Sequence, residues 1–403
     1  MPRALIVLLL LALLIRLGWA LSRDASDAAA LADLPDQREY LTLGRNLLHD
    51  HTLVMRDDRL GVDVYAFRAP GYPIFVALCG GSIRAIRIAQ VLLDTSTVVA
   101  VYLLARKLLP PVACVIAAVF IAFNPYLVYF SSLILSETLF IALLAWGMFL
   151  LTTRRWWTGT IVLGLMVLVR PGAMILPIVL ALASVYLKRA ESQPHQRDLI
   201  ARPLLAGAII VLTLLPWAYR NHLAIDRWLW TTSNTGVTLY DGFNPAATGA
   251  SDQRFLLGMT QSLRQIPNEV DRSNYLAAEA RRFARDLPQR TIELTAAKIA
   301  RTWSPIPLSS NYGGNVRNVI LSAMYTIPLF VLTILGLCRS NLSVPAKVFL
   351  LLPAIYFTAL HALSVGSLRY RLPADVPMAV VAASALSVVR RPVSADDRPT
   401  TNY

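Results

Sequence analysis

The chain has 403 residues, of which 56% are apolar and only 15% charged, and its mean hydropathy is +0.54. A soluble domain carries about 25% charged residues, so these figures exclude a disordered chain, a collagen-like chain and an ordinary cytosolic enzyme. They indicate an all-α polytopic membrane protein embedded in a lipid bilayer. The net charge of +14 is not a nucleic-acid signature, because much of it sits in short Arg/Lys clusters beside apolar runs, where membrane topology calls for it. Cys79, Cys114 and Cys338 show no CxxC spacing and give neither a disulfide framework nor a zinc site.

Ten apolar runs, near 4–21, 86–105, 110–129, 133–151, 157–169, 171–187, 203–219, 319–337, 345–363 and 373–389, are read as spans. Arg170-Pro171-Gly172 interrupts the fifth and sixth, which form either two short spans or one broken pair. With the N-terminus cytoplasmic, Arg106-Lys107, Arg154-Arg155, Lys188 to Arg202, Arg339 and the tail from Arg390-Arg391 all fall on the cytoplasmic side, as the positive-inside rule requires. Residues 1–21 also fit a signal peptide, although Arg16 within the run argues against it. Both large loops, 22–85 and 220–318, then share the opposite face. The expected organisation is an N-terminal membrane module (1–219) carrying the first outer loop, a small outer unit (220–318), and C-terminal membrane helices with a cytoplasmic tail (319–403).

The two outer loops hold the polar chemistry: 22–82 and 220–318 carry 15 and 20 of the 62 charged residues. In the first, Asp36-Gln37-Arg38-Glu39-Tyr40 follows Pro35. In a helix, Asp36, Tyr40 and Leu43 share a face, and Asp36 fits either an N-terminal cap or a catalytic carboxylate. Arg68-Ala69-Pro70-Gly71-Tyr72-Pro73 forms a rigid loop at the membrane edge. Arg68, Arg84, Arg87, Arg170, Arg220, Arg369 and Arg371 all stand on the side that the inside bias disfavours. A shared anionic ligand such as a phosphate explains them together. The structural alternative is pairing, for example with Glu137 or Asp375. Glu137, at the outer end of the fourth span, is costly unless paired. In the second outer loop, 272–285 alternates apolar and charged positions at helical spacing, and Pro288 is placed to end or kink that helix. Its aromatics and amides, with Arg220, Asn221, Tyr240 and Asn244, suit a wall that binds sugar hydroxyls, a composition shared with ordinary turns.

In this order the pieces Asp36…Tyr40, RAPGYP (68–73), NPYLVYFSSLILSE (124–137), LVRPG (168–172), PWAYRN…LYDGFNPAATG (216–249) and RYRLP (369–373) resemble the GT-C superfamily of integral-membrane glycosyltransferases. The likeness is to its protein mannosyltransferase and aminoarabinose transferase branch, similar to glycosyltransferase family 39. The resemblance implies an inverting sugar transfer from a polyprenyl-phosphate sugar donor to a lipid, glycan or protein acceptor. It places the site on the periplasmic (extracytoplasmic) face of the inner membrane. It also implies Asp36 as base, with Glu39 beside it as the alternative, and Arg68 at the donor phosphate; the placement of the residues themselves adds Glu137 in support, Arg170, Arg369 and Arg371 at the donor phosphate, and Tyr40, Tyr72, Arg220, Asn221, Tyr240 and Asn244 around the substrates. The sequence departs from the pattern at Gln37, where relatives often have a second acid, and at Phe67, where the aminoarabinose branch has a metal-holding acid. No cofactor is certain from the sequence; a divalent metal stays open, but the motifs do not support it. A secondary transporter or lipid flippase, or a non-catalytic subunit of an envelope-glycan assembly, is the alternative.

Overall fold

The computed structural model describes residues 3–31, 34–187, 196–308 and 314–386. The helices run in chain order as α1 (Arg3–Ser22), α2 (Asp27–Ala30), α3 (Pro35–His49), α4 (Gly71–Leu78), α5 (Ile83–Ala105), α6 (Pro111–Ala122), α7 (Pro125–Phe130), α8 (Glu137–Leu151), α9 (Trp156–Val169), α10 (Leu176–Leu187) and α11 (Gln196–Ile225). They continue as α12 (Thr235–Gly242), α13 (Phe255–Arg264), α14 (Glu269–Asp286), α15 (Pro288–Thr302), α16 (Val316–Arg339), α17 (Val344–Ala362) and α18 (Leu372–Leu386). Between α3 and α4 lies an antiparallel hairpin, β1 (Met55–Asp57) and β2 (Val62–Val64), in the register Met55↔Val64, Arg56↔Asp63, Asp57↔Val62.

Among the described residues α1, α5, α11, α16 and α17 are long and apolar enough to cross a bilayer, and five shorter apolar segments pack with them. These correspond to the ten runs read from the sequence. The core is α18, largely apolar and buried from Leu372 to Ser384, as a helix at the centre of a bundle must be, with Asp375 paired to Arg371. It packs against α16, α17 and α6. Charges inside the bundle are paired, as desolvation demands. Arg16 of α1 donates to Asp94 of α5 at 2.5 Å and to the carbonyls of Ala122 and Ile121.

Four boundaries differ from the sequence reading. The run 110–129 is two helices, because Pro125 lacks an N–H and the Asn124 side chain caps a new start, accepting from Tyr126 N at 3.0 Å and Leu127 N at 3.2 Å. Buried turns then fill 131–136, so the fourth run starts at Glu137 rather than near 133, with Glu137 at the outer end of α8 as expected. The expected loop 188–202 becomes helical from Gln196, with the Arg202 guanidinium 4.8 Å over Trp156. Pro288 starts α15 rather than merely ending the helix before it. Asp33, Lys188 and Arg390-Arg391 lie outside the described residues.

The two long loops form one polar cap on the bundle. Leu43, Met55, Leu60, Val64 and Phe67 from the first pack with Val237, Leu256, Leu263 and Leu276 from the second. Glu269 ties them further, accepting from Ala66 N at 2.8 Å and Ser233 Oγ at 3.1 Å. Its burial pushes the carboxyl above its ordinary range against those hydrogen bonds.

Candidate active site

The site begins with the first turn of α3. Pro35 occupies the first helical position, where its missing N–H costs nothing. The cap residue is Leu34, with no side-chain cap, so Asp36 is not used to hold the helix. Helical spacing puts Asp36, Glu39 and Tyr40 on one face. That face is fixed to the bundle by Gln37, whose Oε1 accepts from Ile134 N at 2.9 Å, and by Tyr40, edge-on to Tyr72 at 4.8 Å.

Arg68 reaches this face from the RAPGYP loop. Its Nη2 donates to Asp36 Oδ1 at 2.6 Å and its Nε to Glu39 Oε2 at 2.6 Å. Gly71 explains how the loop fits. A Cβ there would lie 2.7 Å from the carbonyl carbon of Leu168 and 2.8 Å from Val169 N, so only glycine lets α4 approach the end of α9. Residue 170 leaves α9 in extended conformation (φ −142°, ψ 94°), and Pro171–Ala173 is a single 3-10 turn. This break turns Arg170 into the bundle, where its Nη2 meets Glu137 Oε1 at 2.6 Å and its Nε donates to Ser136 Oγ at 3.0 Å.

Arg369 comes from the opposite end of the chain, on the 3-10 turn Leu368–Tyr370, and closes the array. Its Nη1 donates to Asp36 Oδ2 at 2.9 Å and its Nε to Glu137 Oε1. Carboxylates and guanidinium groups therefore alternate in one chain: Glu39, Arg68, Asp36, Arg369, Glu137, Arg170. Glu137 is fully buried, and its Oε2 has no hydrogen-bond partner among the described residues. Asp36 keeps 28% of its side chain exposed. Burial alone would raise the Asp36 carboxyl, but Arg68 and Arg369 override it and hold the group well below the usual carboxylate range.

A cavity of about 1850 Å³ opens over Asp36, Glu39, Arg68 and Arg369. The cap supplies a polar wall with Asp57, Arg59, Asp241 and Ser251, and the bundle supplies an apolar one with Leu14, Phe123, Tyr129 and Leu321. Leu14 and Leu321 are 64% and 44% exposed on the outside of the bundle, so the cavity reaches the edge of the lipid-facing surface.

The other expected positions stand behind this wall. Arg371 is fully buried, with Nε on Asp375 Oδ1 at 3.0 Å and Nη1 on Ser304 O at 2.7 Å. Tyr72 donates to Gln90 Oε1 at 2.6 Å. Arg220 clamps the first loop through Tyr65 O at 2.7 Å and Leu53 O at 3.0 Å, and Asn221 donates to Leu229 O at 2.9 Å. Asn244 braces its own turn through Tyr240 O and Ala246 N, while the Tyr240 ring lies edge-on to Phe255. Arg87 holds the carbonyls of Ser132, Arg23 and Asp24, and Arg84 is exposed. The seven edge arginines thus do not share one ligand; three of them pair with Glu137 or Asp375.

Sequence reasoning missed Arg59 and Asp241. Arg59 links Asp57 at 2.9 Å with Glu39 at 3.7 Å and also reaches Gln253. Asp241 accepts from Ser251 Oγ at 2.6 Å and Asp252 N at 2.8 Å. Both lie in charged or turn-like strings with no local period to single them out.

A divalent-metal site does not fit this donor set. Asp36 has an arginine on each oxygen, Glu39 shares Arg68, and the described residues contain no group of three or more His, Cys, Asp or Glu side chains able to hold an ion.

Residues 72–219 match the family model described as dolichyl-phosphate-mannose-protein mannosyltransferase. A search of curated protein sequences finds no match. Among solved structures the chain is similar to the archaeal oligosaccharyltransferase AglB from Archaeoglobus fulgidus in complex with an inhibitory peptide and a dolichol-phosphate, with TM-score 0.57 and 16% identity over 96% of this chain and 50% of that one. It is also similar to the Archaeoglobus fulgidus oligosaccharyltransferase tethered with an acceptor peptide containing the NVT sequon, with TM-score 0.58 and 18% identity over 96% of this chain and 49% of that one. The chain spans about half the length of these relatives, and at such identities the likeness is one of fold. The family match covers residues 72–219, and the likeness of fold covers nearly the whole chain.

Proposed function

We propose that the protein is a membrane glycosyltransferase that moves a sugar from a polyprenyl-phosphate donor to an acceptor hydroxyl on the extracytoplasmic side. The observation that carries this is the alternating carboxylate–guanidinium chain at the floor of a cavity with one polar and one apolar wall. Transfer from a lipid phosphate needs a base for the acceptor, positive charge for the departing phosphate and a path for the lipid tail. Asp36, the Arg68–Arg369 pair and the apolar wall answer those needs in turn.

In this reading the Asp36 carboxylate takes the proton of the acceptor O–H as its oxygen bonds to the anomeric carbon. The carbon–oxygen bond to the phosphate breaks, and the lipid phosphate leaves with the electron pair from the opposite face, which inverts the anomeric centre. Glu137 and Arg170 position Arg369 from behind. A carboxylate gripped by two guanidinium groups is a weak base. A donor phosphate drawing Arg68 and Arg369 toward itself strengthens it, since each loosened contact lets the Asp36 proton affinity rise.

The side assignment rests on charge. Arg106-Lys107, Arg154-Arg155 and Arg339 close the ends of α5, α8 and α16 away from the cap, which supports a cytoplasmic position for them and an outer one for the cap. A transporter calls for charge along a passage through the bundle. Here the buried pairs Arg16–Asp94 and Arg371–Asp375 are sealed, which favours the enzyme. The test is transfer of radiolabelled sugar from a polyprenyl-phosphate donor in proteoliposomes. Labelled product supports the reading, whereas carrier movement across the bilayer without any new glycosidic bond would overturn it.

A further inference from the structure

The carboxylate–guanidinium chain is charge-neutral. Glu39, Asp36 and Glu137 balance Arg68, Arg369 and Arg170. A lipid phosphate arriving there therefore needs positive charge from elsewhere in the cavity. On the cavity wall Arg59 is matched by Asp57, and the more exposed Arg38, Arg56 and Arg254 each face an aspartate. Arg301 and Arg317 also line the cavity. Neither guanidinium has an acid or a hydrogen-bond partner among the described residues, and the Arg301 Nε is buried without one.

Their placement is specific. Arg301 lies in the last turn of α15 and Arg317 in the first turn of α16, at the two sides of the chain's re-entry into the bundle. Near them Pro307, Leu308 and Leu321 line the wall alongside Asn315, Asn318 and Ser322, and α16 carries Ile320 and Met324 exposed on its outer face. A cation in the first turn opposes the helix dipole, and an anion held there relieves both the dipole and the arginine. Two unmatched guanidinium groups beside an apolar slot fit an anionic head on a long hydrocarbon tail.

We infer that Arg301 and Arg317 form the position that holds the phosphate ester of a long-chain isoprenoid carrier at the membrane edge of the cavity. The identity of the carrier rests on the proposed transfer reaction; the anion position does not. In it the phosphate lies between this pair and Arg369, with the isoprenoid leaving past Leu308 and Leu321.

The test is native mass spectrometry of the full-length protein titrated with a long-chain polyprenyl monophosphate and, separately, with phosphatidylglycerol. Wild type is expected to hold the polyprenyl phosphate at least about tenfold more tightly than phosphatidylglycerol. Arg301→Gln with Arg317→Gln together is expected to weaken that binding about tenfold or more, while Arg301→Lys with Arg317→Lys retains most of it. Arg84→Gln, an exposed arginine elsewhere, serves as the control. Unchanged binding in the double glutamine variant, or equal binding of phosphatidylglycerol, would overturn the assignment. If the glutamine pair does not fold, the lysine pair decides, since loss of binding there by as much as tenfold also contradicts a charge-held phosphate. A wild type that binds carrier phosphate through this pair but transfers no sugar would refute the proposed function and leave this site standing. A wild type that transfers sugar while the glutamine pair binds normally does the reverse.

Discussion

Asp36 and Arg369 are 333 residues apart in the chain and 2.9 Å apart in space. The 3-10 turn that carries Arg369 follows α17 after residues 363–367, and that loop is pinned to the cap, with Gly366 N donating to Gly249 O at 2.8 Å. The first and last thirds of the chain thus meet at a single carboxylate, and that meeting governs how it titrates.

Arg369→Gln should move the acid limb of the kcat/KM profile to higher pH. Burial pushes the Asp36 proton affinity up, and Arg68 and Arg369 hold it down, so removing one cation lets it rise. Because its folded value lies below the unfolded 3.8, Asp36 contributes stability above that pH, and this is lost as pH falls through the folded value. An acid limb unchanged in the variant would separate Asp36 from the titration.

Glu137→Gln should destabilise the protein by about 3–5 kcal/mol, because it leaves Arg170 and Arg369 in a buried setting without their carboxylate. Thermal unfolding in detergent checks this. A variant as stable as wild type would mean that water reaches the pair.

Gly71→Val should cost about 1–3 kcal/mol and reduce turnover together, since the side chain meets the α9 backbone at Leu168 and Val169 and shifts the loop that carries Arg68. Unfolding temperature and initial rate measured on the same preparation test the coupling. Loss of neither would show that α4 and α9 have room to separate.

Lys298 gives a pH dependence of the same sense in an alkaline window. Burial lowers its amine from 10.5 to about 8, against the attraction of Asp241, and its Nζ sits 3.2 Å over the Phe243 ring without a hydrogen-bond partner among the described residues. A folded value below the unfolded one means that protonation favours the unfolded chain. Stability should therefore rise as pH climbs from about 8 toward 10.5, and Lys298→Met should abolish that rise. Equal slopes for wild type and variant would contradict it.

Much of the bundle was legible because apolar runs of bilayer length and their basic flanks are local signals. Asp36, Glu39 and Arg68 were legible because a helical spacing and a Pro-Gly loop mark them within a short window. What the sequence could not distinguish was which arginines face the cavity. Arg369 and Arg371 are two residues apart, yet one reaches Asp36 and the other is sealed against Asp375 and Ser304, because a 3-10 turn rather than a strand or α-helix sets their directions. The break at 131–136 was hidden for a related reason. Its polar groups are satisfied by Gln37, Gln90 and Arg87 from elsewhere in the chain, and no local pattern records that.

The role of Asp36 as base is decided by single-turnover transfer of labelled sugar with purified wild-type, Asp36→Asn and Glu39→Gln proteins. Asp36→Asn is expected to remain folded and to lose at least about 10²–10⁴-fold in rate, while Glu39→Gln, which keeps both arginine contacts to Asp36, falls far less. Near-normal transfer by Asp36→Asn would contradict that role.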